Sequence, residues 1–388
     1  MLTCLTAGES HGPQLTAILS GIPAGVPVSA EKINYDLARR QQGYGRGGRM
    51  AIEADQVTLL SGVRFGTTTG NPITMAITNK DWKNWQQQMS PAKADEGFAK
   101  AVTRPRPGHV DLPGCLKYNQ RDARNILERA SARETAIRVA VGALCKALLE
   151  QCTIQIFSYV TAIGTERVDQ ETLQQDDAQL AMAAEQSSLR LPDPTLEEQL
   201  KKVIDLAKKQ GDTLGGIFRV IIRGLPPGIG SHIQYDSKLD GRLAQAIMSI
   251  QAVKGVEIGL GFQAAELRGS LVHDEIAHNH NRGFYHLSNN AGGIEGGISN
   301  GEDIIITAAM KPIPTLYQPL KSVDMITKQP FEASVERSDT CAVPAAAVVG
   351  EAAAAFEITR LLLEKFGGDH LDEFSRNYHG YCDYLTSF

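Results

Sequence analysis

The chain has few of the features that would place it outside a reducing, aqueous compartment. Six cysteines run from Cys4 to Cys382 with no C-x-x-C pair, so neither a zinc site nor a disulfide framework is implied. Met1–Gly12 has neither the basic start nor the apolar run of a secretory leader. No apolar stretch approaches the roughly 18–20 residues needed to span a bilayer. The best candidate, 343–356, is broken by Pro344 and Glu351. Basic residues are not in excess: 39 Lys and Arg against 44 Asp and Glu give a net charge of −5, which argues against a nucleic-acid surface. No internal repeat or linker interrupts the 388 residues, and 1–388 is read as one domain. The expectation is a soluble cytoplasmic protein with no nucleic-acid, membrane or metal partner.

What is abundant is glycine, 37 residues, gathered in loops at 43–48, 211–216, 224–230 and 292–301. Clustered glycine lets backbone N–H groups approach an anion closely. Between these loops several helices are readable. One runs from a Ser29 cap to about Gln42. A long one covers Asp122 to about Gln151, with Val139–Cys145 apolar on every face and therefore buried. A third opens on a Thr195/Glu198 capping box and ends at Gly211. Others cover Asp236 to about Ala252 and Pro344 to Lys365. Strand-like runs lie at 14–19, 57–60, 73–77, 154–163, 217–222, 255–261 and 304–309. Segments 93–101 and 170–194 read as polar surface. Strands and helices do not alternate regularly, so the fold class is α+β and layered, with a helical layer covered on both sides, and not a doubly wound sheet.

Two motifs fail on context. Gly8-Glu9-Ser10-His11-Gly12 matches the nucleophile elbow G-x-S-x-G, but that elbow must open a helix. Here Pro13 and a strand follow, so a serine hydrolase using Ser10 is only the alternative reading. Gly43-Tyr44-Gly45-Arg46-Gly47-Gly48 matches G-x-G-x-x-G, yet it leaves a helix where the dinucleotide fingerprint must leave a strand. It survives as a glycine loop presenting Arg46 and Arg49.

The remaining signal is a repeated pairing of arginine with histidine or serine. Arg104-Pro105-Arg106-Pro107-Gly108-His109 stiffens a backbone and then places an imidazole. Arg129 and Arg133 lie one turn apart on the predicted long helix, flanking Ser131. Arg337-Ser338-Asp339 precedes the last buried helix, and Lys311-Pro312-Ile313-Pro314-Thr315 is a stiff segment after a strand. Arginine suits bidentate capture of carboxylate and phosphate, and histidine can donate a proton near pH 7. The combination reads as anion capture with proton transfer, in one positively lined cavity. His278, His280 and His286 form a second cluster, read as a loop at the protein's edge in preference to a metal site.

Taken in order, these segments resemble the chorismate synthase family. The resemblance is carried by Thr6–Gly12, Gly43–Met50, Arg106–Asp111, Glu128–Thr135, Lys254–Glu257, Gly292–Gly297, Lys311–Thr315 and Val335–Asp339. It implies a β-α-β sandwich, with central helices between two antiparallel sheets, assembled as a homotetramer. It implies 1,4-anti elimination of phosphate from 5-enolpyruvylshikimate 3-phosphate with reduced FMN. By resemblance, His11 protonates the departing phosphate and His109 serves the reduced flavin. Asp339 takes a proton from flavin N5, and Ser10 and Ser131 polarise groups nearby. Ser10, His11, Arg49, Arg133 and Arg337 are implied substrate contacts. Flavin contacts carried over are Ser131, Ala132, Arg133, Gln251, Ala252, Gly296, Lys311, Pro312, Ile313, Pro314, Thr315 and Arg337. Arg40 and Arg46 match positions linked to NADPH. Gln251 stands where many relatives have Asn, and Ala130 where many have Ser. The insertions of relatives that reduce their own flavin are missing, so NADPH is expected to act only indirectly, through an external flavin reductase.

Overall fold

The structure, a computed structural model, describes residues 1–47, 54–280, 282–336 and 338–388. It is an α+β fold with two main antiparallel sheets. The first has strands β1 (Thr3–Ala7), β2 (Gln14–Ser20), β3 (Val57–Leu59) and β4 (Ile73–Thr78) in the order β1-β2-β4-β3. The second has β5 (Gln155–Ile163), β6 (Glu166–Arg167), β7 (Gly216–Arg223), β8 (Val253–Ile258) and β9 (Ile304–Met310) in the order β8-β9-β7-β5-β6.

The period-2 pattern of β2 fixes its face. Leu15, Ala17 and Leu19 are buried and pair with Ile77, Met75 and Ile73 of β4, so one apolar face forms across both strands. That face meets helix α1 (Ala30–Gln41) at β3 and helix α4 (Thr135–Glu150) at β2 and β4. The last long apolar helix, α8 (Val343–Phe366), packs on α4 and on the other sheet at β5 and β7. A Cβ on Gly142 would lie 2.4 Å from the Ala352 Cα, so glycine is what permits the α4–α8 crossing. Both helices are buried over most of their surface, as their mostly apolar sequences predict. No helix among the described residues is long and apolar enough to cross a membrane.

Four expectations are corrected. The predicted helix over 122–151 is broken into α3 (Arg124–Ala130), a 3₁₀ turn (Ala132–Glu134) and α4. Ser131 sits between them in extended conformation and its hydroxyl accepts from the Arg133 N–H; serine prefers this capping role to a helix interior. The cap of α6 (Pro194–Lys209) is Asp193, which accepts from the N–H groups of Thr195 and Leu196, with Pro194 in the first turn. An acceptor before N1-proline displaces the Thr195/Glu198 box. Segment 170–194 is not simply surface: α5 (Asp177–Glu185) lays Leu180, Ala181 and Ala184 against β5. The helix predicted from Asp236 is shorter, α7 (Leu239–Met248), because Ala252 turns to φ +66°. A helix over 111–118, α2 (Asp111–Tyr118), packs on α3, a single turn covers Gly269–Val272, and α9 (Leu371–Ser387) follows α8.

Candidate active site

His11 stands in the β1–β2 turn. No helix follows Ser10, since β2 begins at Gln14, so the elbow geometry that the hydrolase alternative needs is missing from this turn. The turn is pinned to α3 instead. Glu128 accepts the His11 backbone N–H at 2.8 Å and lies 2.9 Å and 3.0 Å from Nδ1 through its two oxygens. The imidazole stacks on Trp85 at 3.9 Å, 25° from parallel. Burial alone would raise the Glu128 carboxyl, but the His11 hydrogen bonds and Arg124 hold it below its ordinary value.

From the same turn a polar chain runs to the arginines. Asn79 donates to the Glu9 and Gly12 carbonyls at 3.1 Å and 2.8 Å. Arg133 Nε donates to Asn79 Oδ1 at 2.9 Å, and its Nη1 reaches both oxygens of Asp55 at 2.6 Å and 2.7 Å. Arg40 Nη1 lies 3.6 Å from Asp55; Arg40 also donates to the Thr135 hydroxyl and the Ala132 carbonyl. Burial pushes the Arg40 guanidinium down to about 10; Asp55 opposes this, and Arg46 and Arg133 reinforce it. Arg46 pairs with Asp339 at 3.2 Å, while Gly47 N–H donates to the same carboxylate at 2.6 Å. A Cβ on Gly47 would lie 2.9 Å from the Ser338 carbonyl. The glycine loop therefore approaches the backbone before α8. His11, Ser10, Ser131, Ala132, Arg133, Arg40, Arg46 and Asp339 thus share one region. Arg49 and Arg337 lie outside the described residues.

The flavin contacts implied by resemblance form an adjoining arc. Gln251 donates to Glu134 at 3.1 Å, Ala252 accepts from the Lys311 N–H at 2.9 Å, and the Ile313 carbonyl accepts from Thr213 at 2.7 Å. Lys311 Nζ donates to the Gly108 carbonyl and Thr315 accepts from Arg106 at 2.8 Å. Pro312 and Pro314 stiffen the segment between. Its far end meets His109, whose Nδ1 donates to Asp111. Burial would raise the Asp111 carboxyl, yet His109 and Arg106 hold it far below the carboxylate range. His109 lines a cavity of about 670 Å³ with Arg106, Leu112, Leu116 and Met325.

The two imidazoles occupy separate clusters: among the described residues no hydrogen bond or ring contact joins them. Gly296 also stands apart, in the turn of a hairpin (Ile294–Glu295 with Ile298–Ser299) against the start of α7. Arg129 does not share a face with Arg133; it is exposed and donates to Thr6 and the Gly8 carbonyl, because Ser131 breaks the helix between them. His278 and His286 are on a hairpin (Ile276–Asn279 with Gly283–His286). No group of three potential ligands among the described residues is placed to hold a metal.

Sequence reading missed Asp55, Asn79 and Trp85, and gave Glu128 no role toward His11. Nothing local marks the first three; their partners are 54 to 78 residues away or across a loop. The acidic residue two places after His109 was the one readable cue.

Comparison with known proteins converges on one family. The family model described as chorismate synthase matches residues 2–363. A chorismate synthase of Geobacter metallireducens is 59% identical over 395 residues, covering 100% of both chains. One from Aquifex aeolicus is 54% identical, covering 100% of this chain and 99% of that one. A crystal structure of chorismate synthase superposes with a TM-score of 0.81 at 46% identity, covering 100% of this chain and 99% of that chain.

Proposed function

Because the chain belongs to the chorismate synthase family, we propose that His11 and the arginines around Asp55 capture its substrate and protonate the leaving phosphate. The reaction is conversion of 5-enolpyruvylshikimate 3-phosphate to chorismate and phosphate by 1,4-anti elimination, the last common step of the shikimate pathway to aromatic amino acids. The substrate carries two carboxylates and a phosphate, so its capture needs several fixed cations. The observation that carries this reading is the polar chain that starts at the Glu9 and Gly12 carbonyls on either side of His11 and runs through Asn79 to Arg133, Asp55 and Arg40. A proton donor at one end of a cationic cluster can neutralise charge as it develops on a departing phosphate.

Reduced FMN fits the adjoining arc. Gln251 Oε1 is buried without a hydrogen-bond partner, an acceptor left open beside Ser131, Ala132, Arg133, Ala252 and Lys311–Thr315. These residues would hold the cofactor. When bound, reduced FMN lends electron density to the substrate and recovers it, so no net electrons are consumed. Asp339, fixed by Arg46 and Gly47, would take the proton at flavin N5. His109, oriented by Asp111, would protonate the reduced flavin and hold its charge state. Gly296, set apart from this arc in the chain, is a flavin contact by resemblance only, as the homotetramer is the assembly implied by resemblance. Arg40 is 4% exposed and suits anion stabilisation better than direct contact with NADPH, which would act through an external flavin reductase. We read the two sheets and the helices between them as a β-α-β sandwich in a single cytoplasmic domain.

The test is phosphate release under anaerobic conditions with excess chemically reduced FMN. Wild type should turn over, and His11→Ala and His109→Ala should each lose about 10²–10⁴-fold. Substrate binding with no phosphate release by wild type would sink the reading and leave an anion-binding protein. NADPH-driven aerobic turnover without added reductase would sink the external-reductase part alone.

A further inference from the structure

Glu128 is 2% exposed and makes more contacts to the His11 turn than support requires. Its carbonyl accepts from Ser10 N–H at 3.0 Å and its carboxylate from His11 N–H at 2.8 Å. Both carboxylate oxygens also face Nδ1, at 2.9 Å and 3.0 Å. An ionised carboxylate can only accept, so Nδ1 must carry the hydrogen. Trp85, stacked on the ring at 3.9 Å, supports the plane of the imidazole, and the Glu128 carboxylate turns Nδ1 inward. Among the described residues, the charged groups near this imidazole and its turn come from four segments. Glu128 and Arg124 are on α3, 3.0 Å apart, and Arg124 also reaches Glu336 at 3.2 Å. Glu9 folds back over Gly12 in the same turn, and Arg133 is linked through Asn79.

We propose that Glu128 is a positioning residue for the elimination: it locks His11 with Nδ1–H turned inward, so that Nε2 is the nitrogen that carries and delivers the acid proton. The C–O bond to phosphate breaks, its electron pair leaves on the phosphate oxygen, and the Nε2 proton passes to that oxygen. Neutral His11 remains as the Nδ1–H tautomer, still held by Glu128. Orientation of an imidazole by a carboxylate on its other nitrogen is a general device for fixing tautomer and basicity. This inference rests on the acid role given to His11 above.

The experiment uses the full-length enzyme, with Glu128→Gln beside His11→Asn. Nitrogen-15 spectra of substrate-free protein, assigned by the signal lost in His11→Asn, should show the Nδ1–H tautomer in wild type at alkaline pH. In Glu128→Gln the balance should shift toward Nε2–H. Turnover should fall about 10–100-fold with KM changed less than about threefold, and the basic limb of the kcat/KM profile should move down by about one pH unit. A folded Glu128→Gln with unchanged tautomer and unchanged limb overturns the inference. If that variant does not fold, Glu128→Asp carries the test. It keeps the charge but withdraws it by one methylene, so turnover should fall while the basic limb stays; retained wild-type turnover overturns the inference. Full activity in His11→Asn would sink the acid role itself, a distinct outcome.

Discussion

Arg39 and Arg40 are neighbours on α1, both buried, and their surroundings are opposite. Arg39 enters a closed ion network. Its guanidinium meets Glu351 at 2.8 Å through both Nη atoms and Asp36 at 2.8 Å, and it pairs with Glu185. Lys146 and Arg190 supply the remaining positive charges, and Ser158 donates to Glu351. Three acids thus face three bases. Burial would lower Arg39, but Glu351, Glu185 and Asp36 hold it above its ordinary value. Arg40, one residue on, faces the other way. Among the described residues it shares Asp55 and Asp339 with Arg46 and Arg133, three cations to two acids, and burial pushes it down to about 10. A neutral buried network holds the helices together. The group around Arg40 lies where the proposed substrate would bring its own negative charge.

The largest effect should come from breaking the closed side. Glu351→Gln leaves Arg39 and Lys146 buried without their shared carboxylate and should cost about 3–5 kcal/mol of stability, read from chemical denaturation. Remaining folded enzyme should keep its KM. The matching change on the open side, Arg40→Met, should cost under about 1 kcal/mol of stability. It should weaken kcat/KM roughly tenfold or more, the range of one charge-assisted interaction. Equal stability losses from both would erase the contrast. Gln251→Leu removes the open acceptor and should weaken reduced-FMN binding by about 5–10-fold in anaerobic titration, with stability little changed.

The acid limb sharpens the contrast further. Burial would raise the Glu351 carboxyl, but Arg39 and Lys146 hold it well below its ordinary value of 4.5. A depressed carboxyl contributes stability above its unfolded value that is lost as pH falls through the folded one. Wild type should therefore lose stability below about pH 4.5 more steeply than Glu351→Gln, as followed by melting temperature against pH. The smallest effect is expected from inorganic phosphate. It should raise the melting temperature of wild type by a degree or so, and that of Arg40→Met by less.

Much of the fold was legible. The runs at 14–19 and 73–77 read as strands, and the all-round apolar character of 139–145 with the mostly apolar, Ala-rich run 344–365 specified buried helices. The break at Ser131 was not, because the residues around it all favour helix and only the capping hydrogen bond to Arg133 decides otherwise. The site divides similarly. His11, Arg46, Arg133 and Asp339 stood in motifs, and Arg40 was implied only by the resemblance. Asp55, Asn79 and Trp85 carry no local mark, since an ordinary Asp in an ordinary loop acquires a role only from the arginine folded against it.

By itself the sequence determined the periodicities, the glycine and proline punctuation and the ordered motifs that identify the family, because these depend on a residue and its near neighbours. Tertiary structure alone decided that Arg39 joins Glu351, Glu185 and Asp36 while Arg40 joins Asp55 near Arg46 and Arg133, and that His11 and His109 belong to separate clusters. Electrostatic environment is set by distance in space, and residues 39 and 40 share almost everything except that.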